Sequence, residues 1–188
     1  DNTVDEVSAV RQAEERRAAQ QAGYEVEFLP YAEPYARPGY TEIGQVFDAS
    51  RPIEGEAVLE QVRASLHELL WGWTGIVLAP LGLGGHIDHR IVRACFDAEV
   101  EDNAGITPGF YEDLPYAAQF SSLHIRERVP ESVRGVPVRP AALRDGALED
   151  KLRLLSTYES QMTEGMLRNV RAHWDCRGAG ELVWMARG

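Results

Sequence analysis

His86-Ile87-Asp88-His89 sets two imidazoles three residues apart with a carboxylate between them. If a helix has begun there, that spacing turns both rings to one face, and Asp88 is near enough to orient a ring nitrogen. Such a set could bind a metal through neutral imidazole, move protons near neutral pH, or donate to a developing anion. The bland alternative is a helix cap at His86 followed by a solvated first turn, and HxDH alone is compatible with both. Its position adds weight to the first reading. The motif follows Leu83-Gly84-Gly85 directly after the apolar run GIVLAP, and open α/β sheets bind ligands at the carboxyl ends of their strands.

Three further groups invite two readings each. Arg11 and Glu14 share a helical stripe with Val4, Val7, Ala18 and Ala22. They form either an i, i+3 ion pair at the core edge or an arginine aimed into a site, where its forked donors would hold a hydroxyl or carboxylate. Tyr111-Glu112-Asp113-Leu114-Pro115-Tyr116 is either loop chemistry, with Asp113 capping a turn before Pro115, or a pocket wall. Tyr158-Glu159-Ser160-Gln161 reads as helix-end packing. His67, on the polar side of a helix, His124, near a strand, and His173, beside Trp174, lack partners at metal spacing, and Cys95 reads as a small buried residue. GxSxG, P-loop and GxGxxG motifs are absent, because LGLGG has the glycines of a tight turn without the remaining spacing.

The elements that must position these residues follow from periodicity and punctuation. Val4 to Ala22 predicts a helix, rich in Ala, Glu, Arg and Gln and stopped by Gly23. Glu25 to Tyr31 predicts a strand. The stretch from Pro30 to Pro52, carrying Pro34, Pro38 and three tyrosines, predicts an ordered surface loop. Val58, Val62, Leu66 and Leu69 fall at helical spacing, so Gly55 to Trp71 predicts an amphipathic helix. GIVLAP is a buried strand, a helix begins near His86, and Phe110 to Leu114 is the next strand. Helices at Lys151 to Tyr158 and Met162 to His173 and a closing strand ELVWMA complete the order. Alternation of strand, loop and helix points to an α/β sandwich around a mostly parallel sheet. A chain of this class would ordinarily open on a buried strand rather than a helix.

With 188 residues and 44% apolar content, the expectation is a single domain over residues 1–188. A net charge of −11 repels phosphate backbones and anionic headgroups, which argues against nucleic-acid and membrane partners and favours a neutral or cationic small substrate. No apolar run reaches the roughly 18 to 20 residues of a membrane span, and the first residues lack the basic-then-apolar order of a signal peptide. Cys95 and Cys176 are too few for a disulfide framework, so a cytoplasmic location is expected. Association into a homo-oligomer is compatible with all of this.

The segments taken together resemble the LmbE-like, PIG-L-type family of zinc-dependent N-deacetylases. The resemblance runs through Arg11-Gln12-Ala13-Glu14, GHIDHRIV, FYEDLPYA, Lys151 with YESQ, and Glu181 to Trp184, in the family's order and across nearly the whole chain. It implies a Rossmann-like three-layer sandwich, here lacking the usual N-terminal strand-helix-strand unit. It also implies hydrolysis of an N-acyl group, usually acetyl, from an amino sugar or related small amide by water bound to Zn2+. In the family's terms His89 is a zinc ligand, His86 supports the oxyanion with Asp88 as its orienting partner, and Arg11 binds substrate. A protonated His86, made more basic by Asp88, would fit that role. The family's Ala-His-Pro-Asp-Asp-Glu segment, which gives the other ligands and the general base, has no counterpart in these residues, so an upstream segment is expected to complete the site. Some relatives carry a tyrosine two residues before the first motif histidine, where this chain has Gly84. The competing expectation is a metal-free binding or accessory protein on the same fold.

Overall fold

Gly23, at φ 76°, ends the first helix by donating its N–H to the Ala19 carbonyl at 2.8 Å, so α1 runs Val4–Ala22 as its composition predicts. The computed structural model describes residues 4–143, 148–178 and 180–187. After α1 come α2 (Leu59–Leu70), β1 (Gly75–Pro80), α3 (Ile87–Asp102), β2 (Ile106–Tyr111) and α4 (Ser122–Arg128). The chain continues through β3 (Ser132–Val133), β4 (Val136–Leu143), α5 (Leu148–Leu155), α6 (Glu164–Cys176) and β5 (Glu181–Ala186).

The strands form one sheet in the order β1-β2-β5-β4-β3. Among the described residues only β1 and β2 run parallel, joined by the α3 crossover; β5 lies antiparallel between β2 and β4, and β3 pairs antiparallel with β4. The fold is α/β, but the expected mostly parallel sheet is corrected to a mixed one. The reason lies in β3 and β4, which sequence periodicity missed. Arg134 and Gly135, at φ 50° and 74°, make a two-residue hairpin of the kind that suits strand twist. Pro137 and Pro140 disguise β4, because proline normally demotes a strand.

The predicted strand Glu25 to Tyr31 is instead irregular chain. It has strand-like residues but no neighbour to take its backbone groups, and a lone extended segment is not stable as a strand. Among the described residues the first strand is therefore β1, and the expectation that it is buried is corrected: it lies at the sheet edge with Ile76 and Leu78 exposed and only Ala79 and Pro80 buried. His124 lies in α4, its ring stacked 4.7 Å from Phe120.

One core cluster joins the sheet to α3 and α4 through Ala79, Phe110, Trp184, Phe96 and Ile125, with the Phe96 and Phe110 rings edge to face at 5.8 Å. A second cluster holds the proline-containing loop on the α2–α3 pair through Tyr40, Val46, Val62, Ile91 and Cys95. Each buried Val, Ile or Phe among these contributes roughly 1.5–3 kcal/mol by leaving water. That second cluster has a functional consequence, because it fixes Arg37 and Phe47 beside the turn that carries His86. No helix among the described residues is long and apolar enough to cross a membrane.

Candidate active site

The chain leaves β1 at Pro80 and makes its turn with Gly82, Gly84 and Gly85 all at positive φ. Gly84 and Gly85 are needed for space as well as conformation. A Cβ on Gly84 would lie 2.5 Å from the Tyr116 Cβ, and one on Gly85 would lie 2.7 Å from the Phe47 carbonyl oxygen. The turn thus lets two distant segments close over the residues that follow.

His86 is the N-cap of α3, its Nδ1 accepting the Asp88 N–H at 3.2 Å. The capping geometry of the bland reading is therefore present, and it also fixes the ring. Phe47 meets that ring edge-on at 5.2 Å, Tyr116 stacks at 6.3 Å and the His89 ring lies 4.9 Å away. Burial first, then the charges of His89, Arg37 and Arg11, push the His86 pKa down to about 4. That shift favours the neutral ring, and the Asp88 carboxylate is not a hydrogen-bond partner of His86 among the described residues. That carboxylate pairs with the buried Arg37 at 2.6 Å, and Arg37 is itself anchored through Nε on the Ala32 carbonyl at 2.8 Å. With Nδ1 accepting from the backbone, Nε2 is the ring nitrogen left to donate.

His89, in the first turn of α3, sets its Nδ1 2.6 Å from Asp113 Oδ1. The second Asp113 oxygen accepts the Leu83 N–H at 3.0 Å, and the carboxylate is fully buried. With Nδ1–H given to Asp113, the Nε2 lone pair is free, and the ring is open enough to line a cleft. Sequence had offered Asp113 as a turn cap. Its carbonyl does accept the Ala117 N–H at 2.9 Å, but the side chain is what supports His89. The clue that could have found it is topological: parallel β1 and β2 end side by side, so the residues just after each must meet.

The cleft holds about 830 Å³ and is lined by His89, Tyr111, Asp113, Tyr116, Tyr158 and a polar stripe of α1. Arg11 belongs to that stripe and is paired with Glu33 at 2.7 Å, its guanidinium 5.4 Å from the Tyr35 ring centre. His86 is not among the lining residues but is half-buried beside two that are, 4.9 Å from the His89 ring and 6.3 Å from the Tyr116 ring. The Tyr116 hydroxyl has no hydrogen-bond partner among the described residues, and burial holds its pKa above the usual phenol range. It is a free protonated donor that sequence reading had left unassigned.

Other acids are structural. Glu14 does not pair with Arg11; it is buried and accepts from Ser160 N and Oγ, both at 2.7 Å, and from Gln161 at 3.3 Å. Glu112 accepts from His173 at 2.7 Å, Arg177 at 2.8 Å and the Trp184 indole at 3.1 Å, which makes His173 a buried structural residue. Lys151 reaches Glu181 at 2.5 Å.

Among the described residues no group of three or more His, Cys, Asp or Glu is arranged to hold a metal ion. The fit to zinc is thus one donor: an imidazole backed by a carboxylate, the support that metal-binding histidines ordinarily have.

No family model matches the chain. The chain is 30% identical over 168 residues to 2'-N-acetylparomamine deacetylase of Streptomyces fradiae, a match covering 89% of this chain and 58% of that protein. It spans little more than half of that relative's length. The crystal structure of the A40926 pseudoaglycone deacetylase superposes with a TM-score of 0.60 at 18% identity, covering 96% of this chain and 71% of the other. The two share a fold.

Proposed function

We propose that the chain is the larger part of a zinc-dependent N-deacetylase of the LmbE-like, PIG-L-type family, acting on an N-acetylated, amino-sugar-like metabolite. The observation that carries this reading is the Asp113-supported His89 imidazole, open to a cleft walled by Arg11 and the free Tyr116 phenol. Similarity to 2'-N-acetylparomamine deacetylase supports the substrate class.

In this reading His89 Nε2 is one zinc ligand, and residues outside those described supply the rest together with the general base. Zinc, when bound, lowers the pKa of a coordinated water to about 7 and polarises the amide carbonyl. The chain's own groups do the remainder. Asp113 keeps the His89 proton on Nδ1. The Tyr116 hydroxyl, which lines the cleft, is the first donor for the charge that develops on the acetyl oxygen, and the Nε2–H of the adjacent, half-buried His86 is the second. Arg11 holds a substrate hydroxyl or ring oxygen. Water adds to the acetyl carbon, the C–N bond breaks, and the nitrogen leaves as an amine after taking a proton, with acetate as the other product. A reducing cytoplasm suits the free Cys95 and Cys176 thiols.

The test is metal analysis and acetate release by the full-length protein on 2'-N-acetylparomamine. Stoichiometric zinc and chelator-sensitive acetate release are expected. A protein that binds the compound without zinc and without hydrolysis would instead be an accessory binding module.

A further inference from the structure

The cleft wall formed by α1 includes Ser8, Arg11, Gln12 and Glu15, in which each residue has another three or four positions away, so that they share one stripe. Two of these charges differ in their surroundings. Arg11 is neutralised by Glu33 at 2.7 Å. Glu15 has no cation within ion-pair distance among the described residues, and its oxygens instead accept from two phenols. Tyr24 donates to Oε1 at 2.6 Å and Tyr158 to Oε2 at 2.8 Å.

We infer that Glu15 is a specificity-determining residue, the subsite that takes a free ammonium group on the N-acetylated substrate. This rests on the deacetylase reading of the cleft and names the charge its substrate must carry. Hydroxyl donors orient a carboxylate without cancelling its charge, and each oxygen keeps a lone pair for a further donor. Burial and the bond to Glu15 raise both phenols above their ordinary range, so they stay protonated donors. Desolvating a carboxylate against a neutral ligand is unfavourable, whereas an ammonium restores both charge and hydrogen bond. The spacing also fits. Arg11 lines the same cleft as His89 and Tyr116. Glu15 lies one helical turn along, about 6 Å, roughly the width of a sugar ring. The overall charge of −11 draws such cations toward the protein.

Calorimetry on the full-length protein with paromamine, whose amines are charged, and with its fully N-acetylated, neutral form tests this without requiring turnover. Glu15→Gln is expected to weaken paromamine binding about 10- to 100-fold, as for a lost hydrogen bond to a charged group, and to change the neutral compound less than about twofold. Tyr158→Phe keeps the charge and removes one orienting donor, so its loss for paromamine should be smaller. If Glu15→Gln does not fold, Tyr158→Phe and the weakening of wild-type paromamine binding with added salt carry the test. Paromamine that fails to bind wild type, or that binds Glu15→Gln as tightly, overturns the subsite; so does equal weakening of the neutral compound. Glu15-dependent paromamine binding by a protein that hydrolyses no acetamide would keep the subsite and remove the deacetylase reading.

Discussion

One Asp113 oxygen holds the His89 ring at 2.6 Å while the other holds the Leu83 backbone at 3.0 Å. A single buried carboxylate thereby ties the end of β2 to the glycine turn after β1 and to the first turn of α3. Asp113→Asn keeps the shape but not the charge, and its amide nitrogen must face either His89 or the Leu83 N–H. Zinc affinity or turnover should fall about 10- to 100-fold, and stability by about 1–3 kcal/mol for the mispaired buried group. Zinc titration and denaturant unfolding measure the two effects separately.

His89→Ala and His86→Ala should fail in different ways. Loss of His89 removes a metal ligand, so zinc content and activity should collapse together. Loss of His86 should leave zinc in place and lower turnover about 100-fold, the scale for one oxyanion donor. Tyr116→Phe should resemble His86→Ala. Retained zinc and wild-type turnover in all three would mean that the HIDH segment is only a helix cap.

Arg11→Ala should raise KM with little change in zinc content, because the guanidinium lines the cleft but is not near enough in kind to serve as a ligand. Unchanged kinetics would reduce Arg11 to a partner for Glu33.

Glu14 makes stability depend on acid. Burial pushes its carboxyl up, but hydrogen bonds from Ser160 and Gln161 outweigh this and hold it below its ordinary 4.5. A depressed carboxyl stabilises the fold fully above the unfolded value and loses that contribution as pH falls through the folded one. Thermal unfolding between pH 7 and pH 3 should show this acid-dependent loss, and Glu14→Gln should be less stable at pH 7 and flatter below it. A parallel pH dependence in wild type and variant would assign the acid lability to other groups.

Gly84→Ala should cost more than Gly178→Ala, although both glycines sit at similar positive φ, 83° and 77°. A left-handed alanine costs roughly 1–2 kcal/mol. At Gly178 nothing lies within 4 Å, so that is the whole effect, whereas at Gly84 the new methyl also meets Tyr116 at 2.5 Å. Urea unfolding should rank the two, and only Gly84→Ala should also lower activity. Equal losses would show that Tyr116 gives way freely.

Local pattern was enough for α1, for α2 in outline, for β1, α3 and β5, because helical spacing, the run GIVLAP and the closing ELVWMA each commit a segment on its own. The same pattern singled out His86, His89 and Arg11, since their types and their place after a glycine turn are local facts. What sequence could not decide was partnership. Glu25 to Tyr31 has the residues of a strand but no neighbour to hydrogen-bond it, and β4 is a strand despite Pro137 and Pro140 because β5 and β3 lie beside it. Asp88 seemed the natural partner of His86 from proximity along the chain. The folded loop brought Arg37 to Asp88 instead and left His86 Nδ1 to the Asp88 backbone N–H, while the meeting of two parallel strand ends gave Asp113 to His89. Side-chain pairing across such distances depends on chain topology and burial, which no residue spacing encodes.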